Sequence, residues 1–397
     1  MNQKLLVVCL CFSQLLQAQP DAQTDLRKVI DNDLKFAVQQ YHVLMNTVPA
    51  DSMPRTYNAA ADRLVTSNLE WWTSGFYPGT LWYLYEFSGD ASLRKAAEQK
   101  LSILEKEKYY TGNHDLGFMM FCSFGNAYRI TKDPAYKEVI LTAAQTLTKR
   151  YRPSIKAIQS WDSSAAFRCP VIIDNMMNLE LLEWSAANGG ENQLADIAET
   201  HANTTIINHF RPDYSTWHVI DYDLQTGLPR AKKTAQGAAD SSSWARGQSW
   251  GLYGYTMMYR FTRKKSYLMQ ARHIADYLIH HPNLPADKIP YWDYSVPGGP
   301  DVKRDVSAGA IMASALLELG QYTTGKEKKE YLDVAKTIIV YLSSPAYLAT
   351  PGKNGGFLLL HSVGSIPHKS EIDVPLTYAD YYFVEALLRY KKWYLKK

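Results

Sequence analysis

Residues 75–108 read GFYPGTLWYLYEFSGDASLRKAAEQKLSILEKEK, and two kinds of helix meet in them. The first, residues 75–87, is built from aromatic and small residues and carries one charge, Glu86. A helix apolar on nearly all sides must be buried on nearly all sides. The second, residues 91–108, places Leu93, Ala97, Leu101 and Leu104 at three- and four-residue spacing against Arg94, Lys95, Glu98 and Lys106. That is the pattern of a helix with one face on a core and one in water.

The pair recurs. Helical patterns fall near 26–48, 75–87, 91–108, 115–130, 133–151, 174–187, 191–210, 246–261, 264–280, 304–320, 327–346 and 376–393. The odd ones are charged and amphipathic, as in DPAYKEVILTAAQTLTKR and KEKKEYLDVAKTIIVYL. The even ones are LGFMMFCSFGNAY, NMMNLELLEWSAA, GQSWGLYGYTMMY, AGAIMASALLEL and YADYYFVEALL, all poor in charge. Six outer helices alternating with six inner ones predict an all-α fold, an (α/α)6 barrel or six-hairpin toroid. AFRCPVII, STWHVIDYDLQTGLPR (with a turn at Gln225–Gly227) and GGFLLLHSVG read as short strands forming β-hairpins at the mouth. Residues 20–397 are expected to form a single catalytic domain.

In such a barrel the inner helices start at one mouth, so the residues before them converge. They are Ser74–Phe76, His114–Asp115, Asp174, Trp244–Gln248, Lys303–Asp305 and Glu371–Asp373. An Asp at a helix start is ordinarily a cap, which stabilises by about 0.5–2 kcal/mol and needs no chemistry. Asp115 and Asp174 begin neighbouring inner helices, however, and two close carboxylates resist ionising together, which would keep one as a proton donor near neutrality. The helix dipoles push both the other way. Arg246 opens a helix otherwise almost free of charge. It reads either as a bridge between carboxylates or as a bidentate clamp for a substrate carboxylate, with Trp250 one turn further on the same face.

Composition narrows the classes. Of 397 residues 46% are hydrophobic and 13% aromatic, with 28 Tyr and 10 Trp. Aromatic faces pack well on sugar rings. A net charge of +4, without a basic block beyond the terminal KKWYLKK, gives no nucleic-acid footprint. Lys4 followed by the apolar run Leu5–Leu16 reads as a secretory leader, residues 1–19, too short to anchor in a bilayer. The protein is therefore expected to be exported to the periplasm. Cys122 and Cys169 remain, with no CxxC, HExxH or Cys/His cluster. Both read as core thiols, and neither a metal nor a cofactor is expected.

TSGFYPGTLW, HDLGFMM, DNMMNLELL, SSSWARGQSWGLYGY and SEIDVPLTYADYY, in this order from about residue 70 to 390, resemble glycoside hydrolase family 88, the unsaturated glucuronyl hydrolases. The resemblance implies an (α/α)6 barrel and an unusual reaction. The 4,5-unsaturated uronic acid that a polysaccharide lyase leaves at the non-reducing end is removed by hydrating its double bond, not by attack at the anomeric carbon. It further implies Asp174 as general acid/base and Asp115 as its partner. His218, Gln236, Arg246 and Trp250 would line the substrate site, and Phe76 would stack on the sugar. The expected partners are oligosaccharides ending in an unsaturated uronic acid, drawn from glycosaminoglycans, with no nucleic acid and no membrane beyond the leader. The chain is expected to be a monomer or weak homodimer. The related rhamnogalacturonyl hydrolases, acting on pectin fragments, share barrel and chemistry, but the HDLGF and DNMMN forms favour the glucuronyl class. A non-catalytic glycan-binding protein would not need both Asp115 and Asp174.

Overall fold

The computed structural model describes residues 25–395; the expected leader, residues 1–19, lies outside them. Twelve α-helices follow in order: α1 Leu26–Met45, α2 Phe76–Ser88, α3 Ala91–Leu104, α4 Asn126–Thr131, α5 Pro134–Thr148, α6 Asn175–Ala187, α7 Gln193–His209, α8 Ala245–Thr262, α9 Lys265–His280, α10 Val306–Leu319, α11 Gly325–Leu342 and α12 Thr377–Trp393. The even-numbered helices pack each against the next, α4 reaching α6 through the segment 117–125 that precedes it, and α12 returns to α2, closing a ring. The odd-numbered helices lie outside that ring against their neighbours. This is the (α/α)6 barrel that the alternation predicts. The contrast in composition explains the placement. Every residue of α10 is buried, whereas α11 buries Tyr331, Val334, Ala335, Ile338, Ile339 and Leu342 along one stripe.

The second inner element departs from a plain helix. It opens as a nine-residue π-helical segment, Gly117–Gly125, before tightening into α4. The wider coil lets the ring close at short range. A Cβ on Gly117 would sit 2.5 Å from the Cα of Asn178 in α6, and one on Gly75 would sit 2.2 Å from the carbonyl oxygen of Met119. Only glycine admits such approaches, and π segments of this kind often mark functional sites.

Three of the six outer helices, α1, α3 and α5, start on side-chain caps. Asp25, Asp90 and Asp133 accept from Arg27 N, Ser92 N and Ala135 N at 3.2, 2.9 and 2.9 Å. Of the inner helices only α10 is capped in this way, by Asp305 from Ser307 N at 3.1 Å.

Short sheets decorate the barrel. β1 (Met53–Asn58) pairs with β2 (Arg63–Ser67), and β3 (Tyr151–Arg152) with β4 (Ala157–Ile158). β5 (Pro170–Ile172), β6 (Val219–Tyr222) and β7 (Pro229–Lys233) form an antiparallel sheet, and β8 (Ser362–Ser365) pairs with β9 (Ser370–Val374). The β1–β2 hairpin was not expected from the sequence. GGFLLLHSVG is a strand only from Ser362 onward. Gly355 and Gly356 take positive φ, and Asp380 of α12 holds the N–H groups of Leu358 and Leu359 at 2.9 and 3.1 Å. That pinned turn replaces the first half of the expected strand.

Candidate active site

Asp174 immediately precedes α6, yet it does not cap it. Its backbone is already helical, and its carboxylate accepts no cap bond. The first N–H groups of the helix are met by backbone carbonyls instead: Met176 N bonds Ile173 O at 3.1 Å, and Met177 N bonds Asp174 O at 2.9 Å. The carboxyl is thereby left free. It is 8% exposed, and its Oδ2 has no hydrogen-bond partner. His218 Nε2 lies 3.7 Å from that oxygen and is also unpartnered, as is the indole Nε1 of Trp250, which turns toward the same carboxyl. Unsatisfied buried polar atoms are costly, and three converging on one point mark a place where a polar ligand belongs.

The environment sets the protonation states. Burial pushes Asp174 up to about 7, against a downward pull from Arg246, with a smaller upward push from Asp115. Burial also pushes Asp115 up to about 7, against Asn178 and Arg150. The two acids therefore titrate together around neutrality, where a carboxyl can both give and take a proton. Burial drives His218 down to about 3, so its ring is neutral. Its Nδ1 accepts from the backbone N–H of Ala235 at 3.1 Å and of Gln236 at 3.2 Å. The proton must then sit on Nε2, which points at Asp174 as a fixed donor. The ring stacks on Trp244 with centroids 4.5 Å apart.

Next to this point lies a cleft of about 490 Å3, lined by His218, Gln236, Arg246 and Tyr378 and by the aromatic residues Trp71, Trp72, Trp161 and Phe167; it meets Asp174 through His218. The β8–β9 hairpin forms one wall through Gly364, Ser365, His368, Ser370 and Glu371.

No family model matches the chain. Individual relatives do. An unsaturated glucuronyl hydrolase of Formosa agariphila is 45% identical over 351 residues, which span 88% of this chain and 87% of that protein. The crystal structure of an unsaturated glucuronyl hydrolase specific for heparin superimposes with a TM-score of 0.89 at 45% identity, over 92% of this chain and 97% of the other. The chain belongs to the unsaturated glucuronyl hydrolases of glycoside hydrolase family 88. An unsaturated chondroitin disaccharide hydrolase of Streptococcus pyogenes is 32% identical over 381 residues, 94% of this chain and 93% of that one.

Within this glucuronyl hydrolase two of the expected contacts, Phe76 and Trp250, are placed differently from the sequence reading, and of the two readings of Arg246 the bridge is the one seen. Phe76 is fully buried, packed among Trp72, Phe118, Tyr378, Tyr381 and Tyr382, and has no face to offer a sugar. The rings at the cleft are Trp71, Trp72 and Trp161 instead. Trp250 is likewise enclosed, with Phe118 and Tyr382 centroids at 5.0 and 5.3 Å, so it presents an N–H edge and not a stacking plate. Arg246 is no free fork. Its Nη1 bonds Asp305 Oδ2 at 3.1 Å and the carbonyl of Val363, and its Nη2 bonds Gly364 O at 2.8 Å. The guanidinium is the bridge that ties the β8 strand to α8 and α10. Gln236 adds to that tie, donating from Nε2 to Gly364 O at 3.1 Å. Of the two thiols, Cys169 is buried and Cys122 partly so; both are free.

The residues missed were those without a one-letter pattern. Trp71 and Trp72 sit beside the quoted TSGFYPG and Tyr378 within SEIDVPLTY, and that position was a usable signal. Trp161 and Arg55 reach the cleft from loop and hairpin, where spacing carries no such information.

Proposed function

We propose that this hydrolase removes a 4,5-unsaturated glucuronic acid from the non-reducing end of lyase-generated glycosaminoglycan fragments by hydrating the C4=C5 bond. The observation that carries the reading is the free, buried Asp174 carboxyl, faced by His218 Nε2–H and Trp250 Nε1–H beside an aromatic-lined cleft. Protonated Asp174 delivers its proton to C4. Positive charge then develops at C5 and the ring oxygen, where ionised Asp115 offsets it. Water adds to C5 and returns a proton to the Asp174 carboxylate, so one water is consumed and the acid is regenerated. The C5 hemiketal opens to a ketone, leaving a hemiacetal at C1 that expels the shortened sugar. The glycosidic bond breaks without a nucleophile at C1, so a single acid/base with a nearby anion suffices. Arg246, held on Asp305 and the β8 carbonyls, contributes positive potential toward the substrate carboxylate.

A heparin-type fragment is the favoured substrate, because the heparin-specific enzyme is 45% identical and the chondroitin enzyme 32%. Incubation with unsaturated heparin and chondroitin disaccharides tests this: loss of the conjugated ultraviolet absorbance is expected, faster on the heparin series. Absence of loss on every unsaturated uronide would sink the reading. The same reading takes the protein to be exported, on Lys4 and the run Leu5–Leu16. The intact mass of protein recovered from the periplasm should then lack about the first 19 residues, the length of a signal peptide.

A further inference from the structure

We propose that Asn178, one turn below Asp174 on α6, is a positioning residue that frees Asp115 from capping and fixes the hydrogen bond that Asp115 receives. The inference rests on the acid-pair reading above.

Asp115 lies where a cap is expected. The π segment begins two residues later, and the N–H of Phe118, in its first turn, has no partner within the segment. An Asp three residues earlier would ordinarily take that N–H. It does not. The Phe118 N–H goes across the ring to Asn178 Oδ1 at 3.1 Å. The neighbouring inner helix supplies the cap, and Gly117 permits it, because no side chain there could coexist with Asn178 2.5 Å away.

That bond also decides which end of the amide is which. With Oδ1 committed to an N–H, the other end of Asn178 is NH2 and can only donate. It lies 3.4 Å from His114 Nδ1. His114 is buried, and burial drives its ring down to about 3, so it is neutral. An Nδ1 that accepts leaves the proton on Nε2, which lies 3.4 Å from Asp115 Oδ1. The sequence of contacts runs Phe118 N–H, Asn178, His114, Asp115, and the Asn178 amide also faces Asp115 directly and pulls its pKa down. That sequence repeats what Ala235 and Gln236 do for His218 and Asp174. Each carboxyl of the pair is thus faced by a neutral imidazole whose tautomer is set from behind by a protein donor. For Asp115 that donor is one side chain, which makes it testable.

Asn178→Asp separates the two roles. The carboxylate still accepts from Phe118 N–H, so the cap survives, but it cannot donate to His114 Nδ1. The imidazole then carries its proton on Nδ1 and turns a lone pair toward Asp115. The expected result is a fall in kcat on the order of 100-fold, the size of a general acid/base contribution, with KM changed less than about threefold. The pH profile of kcat should move, because Asp115 loses the Asn178 amide that pulls its pKa down and gains a carboxyl in its place. Asn178→Ser, which can both accept and donate, should recover part of the rate. Wild-type kcat and pH profile in Asn178→Asp would overturn the proposal. So would a long-range 15N spectrum of histidine-labelled wild-type protein, with His114 assigned by its loss in His114→Gln, showing the Nδ1–H form. That measurement decides even if Asn178→Asp does not fold. If Asp174→Asn were fully active, the acid-pair reading itself would fail. If Asp174→Asn were inactive and Asn178→Asp normal, only the positioning role would fail.

Discussion

Among the described residues six aspartates sit at or next to a helix start, and what each carboxylate does is decided by one or two neighbouring groups. Asp25, Asp90, Asp133 and Asp305 cap. Asp174 is relieved of capping by two backbone carbonyls, and Asp115 by Asn178. The relief has a cost that can be measured. Both free acids are raised to about 7 in the fold, above the roughly 3.9 of an unfolded Asp. Between those values the native state binds more protons than the unfolded state, so their contribution to stability falls as pH rises from about 4 to 7 and then levels off. Asp174→Asn removes one titration. It should leave the melting temperature nearly unchanged at pH 4.5 and raise it at pH 8, while abolishing turnover by a factor of about 100 or more. Calorimetry at the two pH values beside a progress curve checks both halves. In the wild type, kcat/KM should decline above about pH 7 as Asp174 loses its proton. No ascending limb near pH 6 should come from His218, whose imidazole stays neutral down to about 3. A rate profile from pH 4 to 9 on an unsaturated disaccharide reads this directly.

At the scale of elements, the wall of the cleft depends on a contact that spans three pieces of chain. The β8 strand is held by Arg246 of α8, and Arg246 by Asp305 at the start of α10, whose Oδ1 also takes Ser307 N and Oγ at 3.1 and 2.5 Å. Asp305→Asn keeps an acceptor for the cap but leaves the buried guanidinium without its counter-charge. Removing one partner of a buried pair typically costs about 3–5 kcal/mol. The variant should melt several degrees lower, and its KM should rise, because the hairpin bearing Ser365, His368 and Glu371 loses its anchor. Thermal unfolding and steady-state kinetics on the same preparation test this. Elements with long periods were legible in the sequence; those with short ones were not. The six inner and six outer helices announce themselves through ten or more residues of one pattern, whereas β1, β2 and β9 have five or six residues each and no clean alternation. The π segment was read as ordinary helix because its cause, the approach of Asn178 to Gly117, is a contact between residues 61 positions apart. The same applies to the site. Asp115, Asp174, His218 and Gln236 could be singled out from motifs. That Phe76 and Trp250 are walled in by other rings depends on packing among α2, α8 and α12, which no local window contains.

For the whole molecule, one carboxylate far from the cleft ties the inner ring together. Glu385 of α12 accepts from Tyr83 of α2 at 2.8 Å and Tyr253 of α8 at 3.1 Å through Oε1, and from Ser314 of α10 at 2.5 Å through Oε2. Arg389, one turn on, balances its charge at 3.5 Å and pairs with Glu318 of α10 at 3.1 Å. Four of the six inner helices thus converge on a single side chain that is 6% exposed. A barrel whose inner helices are greasy all round could slide in register, since apolar contacts are non-directional. A saturated polar knot removes that freedom, in the way buried polar groups fix register in some other helical assemblies. It lies in a different cavity from the substrate cleft, and the two share no lining residue. Glu385→Ala leaves the buried hydroxyl groups of Tyr83, Tyr253 and Ser314 without their carboxylate acceptor, at about 1–3 kcal/mol for each group left unpaired, while Arg389 keeps Glu318. The melting temperature should fall and the unfolding transition should broaden as ring closure loosens. At temperatures where the variant is still folded, kcat and KM on the unsaturated disaccharide should remain within about threefold of wild type. Scanning calorimetry and kinetics at two temperatures separate these outcomes. A variant that melts normally would show that apolar packing alone sets the register, and one that loses KM at low temperature would show that the two ends of the barrel are coupled.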